Sequence, residues 1–169
     1  MKKIIVTLLV AVLALSAVAL AETYKSDDLS FKYDADAFDV EVDDRTDDET
    51  TVVLTGKDAA WGQTYVRFYL KELEKGETFP TPAEFKPIAD VEVTQGDWNG
   101  FKDVFMYTVE NDDGTSQHFF VAPVADDDDG EIEDLLTVEI GTTAIDDADA
   151  AARRDDLIGA VVDSLVVDD

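Results

Sequence analysis

One histidine, His118, stands in a chain of 169 residues that carries 40 aspartates and glutamates and no cysteine. Those counts narrow the chemistry at once. Without a thiol, a covalent nucleophile has to be a serine or threonine, with His118 as its base. His118 lies in Gln117-His118-Phe119-Phe120, a strand pattern, and the chain has no Gly-x-Ser-x-Gly elbow. A polar strand position therefore fits His118 better than a triad. Zinc draws several His or Cys ligands, which this chain lacks. No P-loop and no Gly-x-Gly-x-x-Gly is present. No catalytic residue is assigned from the sequence.

Calcium is the one metal the sequence suggests. Asp126-Asp127-Asp128-Asp129-Gly130-Glu131-Ile132 matches part of a calcium loop. With Gly130 as the turn glycine, Asp127 and Asp129 fall on ligand positions, Glu131 adds a carboxylate, and Ile132 takes the apolar position. Ala125 and Leu136 occupy the first and last ligand positions, where carboxylates are needed. The expectation is an acidic loop with weak calcium binding at Asp127, Asp129 and Glu131, and no other cofactor. A carboxylate pair for hydrolysis is compatible with the residue types, but among 40 acids a pair in sequence carries no information. Such a site needs two acids facing each other in a cleft, one partly buried. Trp61 and Trp98 could bind sugars or proteins if exposed; their settings beside turns favour packing roles.

The elements that must position these residues are mostly strands. Leu29, Phe31 and Tyr33 alternate with polar residues, as do Phe38, Val40 and Val42. Thr51–Thr55 and Tyr65–Leu70 follow; Val66, Phe68 and Leu70 share one face, and Tyr65, Arg67 and Tyr69 the other. Thr81-Pro82-Ala83-Glu84 has the composition of a capping box, so a short helix is expected there, with Phe85 and Ile88 facing the core and Pro87 limiting its length. A short strand over Val91–Thr94 comes next. Asn99-Gly100 and Asp113-Gly114 predict hairpin turns between Val104–Val109 and its neighbours, His118–Ala122 among them. Leu135–Ile140 is the last long strand. From Asp147 the period changes: Leu157, Ile158, Val161, Val162 and Leu165 form a helical stripe ending near Ser164, followed by a short strand at Leu165–Val167. This order predicts an α+β fold: a mainly antiparallel sheet of about six to eight strands, a short central helix, and a C-terminal helix packed on the sheet.

Lys2 and Lys3 precede an apolar run from Ile4 to Leu20, which ends at Ala19-Leu20-Ala21. This is the layout of a cleavable secretory signal over residues 1–21, leaving one domain over residues 22–169. The run is shorter than the ~20 residues a spanning helix needs. The expected product is secreted or extracytoplasmic, not inserted in a membrane, and monomeric. Removing Lys2 and Lys3 leaves 11 basic residues against 40 acidic ones. Nucleic acid, which selects basic patches, is a poor partner for such a surface; cations and basic proteins remain open.

In order of elements the chain resembles the PsbP-like superfamily, which includes a photosystem II lumenal subunit, a Ran-binding transport protein and secreted bacterial domains. Asp28-Leu29-Ser30-Phe31-Lys32-Tyr33-Asp34 is similar to the family's opening strand. Trp98-Asn99-Gly100 with Phe105-Met106-Tyr107, and Val162-Asp163-Ser164-Leu165 closing the last helix, carry the rest. The resemblance implies an α/β/α sandwich over the whole mature chain. The family's usual tryptophan after the first strand is missing, with Phe38 near that position, and no basic patch is present. Neither a manganese-cluster role nor Ran binding is carried over.

The functional expectation is a secreted, strongly acidic, non-enzymatic binding or interaction domain for a protein or small ligand. It predicts a continuous groove or apolar patch on one sheet face and no buried titratable cluster. A weak calcium-binding protein and a small carboxylate-based hydrolase are the alternatives.

Overall fold

The computed structural model describes residues 21–42, 49–74, 76–87, 90–125 and 130–167. Residues 1–20 and four residues of the acidic loop (126–129) lie outside them.

Ten strands and one long helix build the described fold. Strands β3 (Phe38–Val42), β4 (Glu49–Gly56), β5 (Thr64–Glu72), β6 (Thr94–Trp98), β7 (Phe101–Glu110), β8 (Thr115–Ala125) and β9 (Ile132–Thr143) form an antiparallel sheet of order β3-β4-β5-β9-β8-β7-β6. Strands β1 (Ala21–Lys25), β2 (Leu29–Asp34) and β10 (Val166–Val167) form a second sheet of order β1-β2-β10. Helix α1 (Ala148–Asp163) joins β9 to β10. The fold is α+β and mainly antiparallel, as expected, but in two sheets rather than one.

Each face of the large sheet follows from alternation. Val52, Leu54, Val66, Phe68, Leu136 and Val138 point inward and are fully buried. They pack against Leu29 and Phe31 of β2 and against Ile158, Val161 and Val162 of α1. Phe31 is the centre of this contact, with ring centroids 4.9 Å from Phe68 and 5.0 Å from Tyr24. Burying each such side chain contributes roughly 1.5–3 kcal/mol. The helix begins at Asp147, whose carboxylate accepts from the backbone N–H groups of Asp149 and Ala150, both at 3.0 Å. Its C-terminal end is tied to the sheet by Asn99, whose amide donates to the Val162 carbonyl at 2.8 Å. Arg154, 7% exposed, donates to the Thr143 carbonyl at 2.7 Å.

The outer side of β7 and β8 is covered by Phe79, Phe85, Val91 and Val93. Phe79 and Phe85 stack on Phe105 at 5.2 and 4.3 Å, and Tyr107 stacks on Phe119 at 4.7 Å.

Three expectations are corrected. Glu22–Lys25, not among the strands named from the sequence, forms one; it pairs with β2 from Ala21↔Asp34 to Lys25↔Ser30. The short helix at Thr81 does not form. Its capping box closes, with Thr81 N–H and Oγ1–H donating to Glu84 at 3.1 and 2.7 Å, yet the chain makes only a single turn. Pro87 has no N–H with which to extend it, and Phe85 lies on Phe105 instead; Ile88 lies outside the described residues. The strand expected at Val91–Thr94 begins only at Thr94.

Candidate functional site

The helix and the small sheet cover only part of the inner face. Over β6, β7 and β8 that face stays open, as a groove made of two adjoining hollows of about 590 and 480 Å³. His118 and Phe120 belong to both hollows, so the groove is continuous.

Strand alternation explains its floor. Met106 and Thr108 on β7, His118 and Phe120 on β8, and Ile140 and Thr142 on β9 point inward; none is fully buried. The register sets Met106 opposite Phe120, Thr108 opposite His118, and His118 opposite Ile140. Trp98 forms the end wall. It is the last residue of β6, and the Asn99-Gly100 turn (φ 50° and 87°) returns the chain directly into β7. Its indole stacks on Phe120 at 4.0 Å with an interplanar angle of 14°. Ile158, Gly159 and Val162 of α1 form the far wall. Glu92, Asp155 and Asp163 stand along the rim.

The structure thus brings together two residues the sequence marks, His118 and Trp98. His118 Nδ1 is 2.9 Å from Thr108 Oγ1, a hydrogen bond between directly opposed residues. This is a cross-strand polar pair. A nucleophilic Thr108 would need a third group to orient the imidazole, and the carboxylates nearest in the groove are the exposed rim acids. Trp61 is elsewhere. It is 1% exposed in the short 3-10 turn Ala59–Trp61, packed on Phe38 at 5.9 Å. Its role is packing.

Of the calcium-loop residues, Asp127 and Asp129 lie outside the described residues. Glu131 is exposed just ahead of β9. Among the described residues no group of three or more His, Asp or Glu is placed to hold a metal ion. No helix among them is long and apolar enough to cross a membrane.

The outer face carries a cluster the sequence reading did not expect. Glu139 on β9 is 6% exposed. Arg67 donates to its Oε2 at 2.6 Å. Gln117 donates to its Oε1 at 2.9 Å, and the Tyr65 hydroxyl bonds the same oxygen. Register places Arg67 directly opposite Glu139, and Tyr65 opposite Gly141. A hollow of about 480 Å³ beside them is lined by Glu49, Thr51, Val53, Arg67, Tyr69, Thr137 and Glu139. Burial pushes the Tyr65 hydroxyl above its ordinary pKa, and the Glu139 carboxylate adds to the shift. Burial also raises Tyr107, with the same carboxylate contributing. A buried titratable cluster therefore exists, contrary to expectation. Its polar atoms are spent on one another: Glu139 receives three donors, and the Tyr69 hydroxyl donates to Glu49 at 2.8 Å. Such a saturated cluster holds strands together. The inner groove differs, offering aromatic and apolar side chains that the fold covers only in part, which is the usual character of a ligand site. The one signal in the sequence was an acid inside the largely apolar stretch Leu136–Ile140.

No family model, curated protein or solved structure matches the chain.

Proposed function

We propose that the protein is an extracytoplasmic binding module and that the groove over β6, β7 and β8 is its ligand site. The observation that carries this reading is the continuous open floor of Met106, His118, Phe120 and Trp98 on a sheet face whose remainder is packed. Apolar side chains left partly exposed in a concavity gain free energy when a ligand covers them. No chemical step is assigned to the site. Export rests on the leader Met1–Ala21, and the strong negative charge suits a protein that stays dispersed.

Kinship with PsbP-like proteins belongs to the same proposal. It is supported by the opening strand β2, the Trp98-Asn99-Gly100 hairpin and the helix closing at Ser164. The residues of the hairpin and the helix end also build one end of the groove.

The test uses Nile red, a neutral apolar dye. Wild-type protein should raise its fluorescence saturably while quenching Trp98, because Trp61 is sealed in the core. Phe120→Lys should abolish both signals without changing the circular dichroism spectrum. Equal dye binding by wild type and Phe120→Lys would remove the groove as the site.

A further inference from the structure

The groove floor mixes Met106, Phe120 and Ile140 with Thr108, His118 and Thr142, and its rim is acidic. Glu92 borders the β6 side, and Asp155 and Asp163 border the α1 side. The one arginine or lysine among the lining residues is Arg154, and it is committed to the Thr143 carbonyl and to Asp155 at 2.7 and 2.9 Å. Strand β6 ends the seven-stranded sheet, and among the described residues no strand pairs with its outer edge. Thr94, Gln95 and Asp97 on that strand are exposed. An edge of this kind presents backbone donors and acceptors in register for another chain.

We infer that the groove and the open edge of β6 together receive an extended segment of another protein, one that carries lysine or arginine among apolar side chains. The inference rests on the groove being a binding site and names the occupant. A segment paired along β6 would turn every second side chain toward the groove face. Apolar side chains there would cover the Trp98 indole and the β6 end of the groove. Cationic ones at its two ends would meet Glu92, just before β6, and Asp97, near its end, with the Trp98 face available for cation–π contact. A formal charge of −27 repels an anionic segment and steers a cationic one inward. A neutral apolar ligand would leave the rim charges unused.

The experiment compares nonapeptides on the full mature chain. One carries lysines at both ends of a valine- and tyrosine-rich centre; the second replaces each lysine by glutamate; the third is the lysine peptide with alternate backbone amides methylated. Trp98 fluorescence reports binding. The lysine peptide should bind and the glutamate peptide should not. The methylated peptide should bind roughly tenfold more weakly, since it loses at least two backbone hydrogen bonds. Glu92→Gln with Asp97→Asn should weaken the lysine peptide about fivefold, as two exposed ion pairs are lost. Asp39→Asn with Glu41→Gln removes the same charge from β3, the opposite edge strand, and should leave affinity unchanged.

Equal binding of lysine and glutamate peptides overturns the inference. So does equal loss in both double variants, which would mean attraction to net charge alone, and so does unaltered affinity of the methylated peptide. Nile red separates the two levels: dye binding blocked by Phe120→Lys, with no preference for the lysine peptide, removes the basic segment and keeps the groove. Failure of both dye and peptide removes both.

Discussion

Replacing Arg67 by methionine removes the cation paired with a carboxylate that the sheet has buried. Glu139 is 6% exposed, and its Oε2 accepts from Arg67 at 2.6 Å. Losing one member of a fully buried ion pair costs about 3–5 kcal/mol. Two features reduce that figure here. The Arg67 side chain is 45% exposed, so water can follow it into the outer hollow and screening weakens the pair. Oε1 also keeps its bonds from Tyr65 and Gln117. The remaining loss is close to one hydrogen bond to a charged group, about 2 kcal/mol. For a domain of this size that corresponds to a fall in Tm of roughly 4–8 °C. Glu139→Gln should cost less, about 1 kcal/mol, because Arg67 is exposed enough to recover water while the amide still accepts from its neighbours. Urea unfolding followed by tryptophan fluorescence measures both variants, with an unchanged m-value as the sign that only stability moved. A cost for Arg67→Met below about 0.5 kcal/mol, the range of ordinary surface changes, would refute the reasoning. A larger cost for Glu139→Gln than for Arg67→Met would do so as well.

Three further outcomes follow from other contacts. Gly141→Ala should destabilise by about 1–3 kcal/mol in the same unfolding assay, because the new methyl meets the Tyr65 ring, which its bonds to Glu139 and Gln117 hold in place. Asp147→Ala should cost about 1 kcal/mol and loosen the first turn of α1 in amide hydrogen exchange, since two backbone N–H groups lose their acceptor. Alkaline stability depends on tyrosine. Tyr33, Tyr65 and Tyr107 are all held above their ordinary value of 10.0, chiefly by burial. Above that pH the unfolded chain releases protons that the folded chain keeps, so stability should be level below pH 10 and fall as pH rises beyond it. Tyr65→Phe should flatten that fall; an unchanged slope would contradict it.

Much of the sheet was legible because alternation is a strong local signal. Leu29, Phe31 and Tyr33 mark β2, and Asn99-Gly100 marks the hairpin between β6 and β7 by a backbone need that few residue pairs meet. Helix α1 was equally plain, since Asp147 and the stripe from Leu157 agree on where it starts and which side it buries. Strand β1 was not. Between Glu22 and Lys25 only Tyr24 is large and apolar, and what makes it a strand is pairing with β2 and stacking on Phe31, both tertiary. The turn at Thr81 misled because its cap chemistry is local and real, while Phe79 and Phe85 are held by Phe105 across the chain. At the groove, His118 and Trp98 stood out by rarity of type. Met106 and Phe120 did not, because an apolar residue in a strand reads as core until the layer above it is known to stop short. Glu139 was hidden among 40 acids; only register shows that Arg67 faces it.

The most direct test of the groove is nuclear magnetic resonance of the chain over residues 22–169 titrated with Nile red. Shifts should gather at Thr94, Met106, His118, Phe120 and the Trp98 indole, while the Trp61 indole stays still. Shifts centred on Tyr69, Thr137 and Glu139, across the sheet, would contradict the assignment.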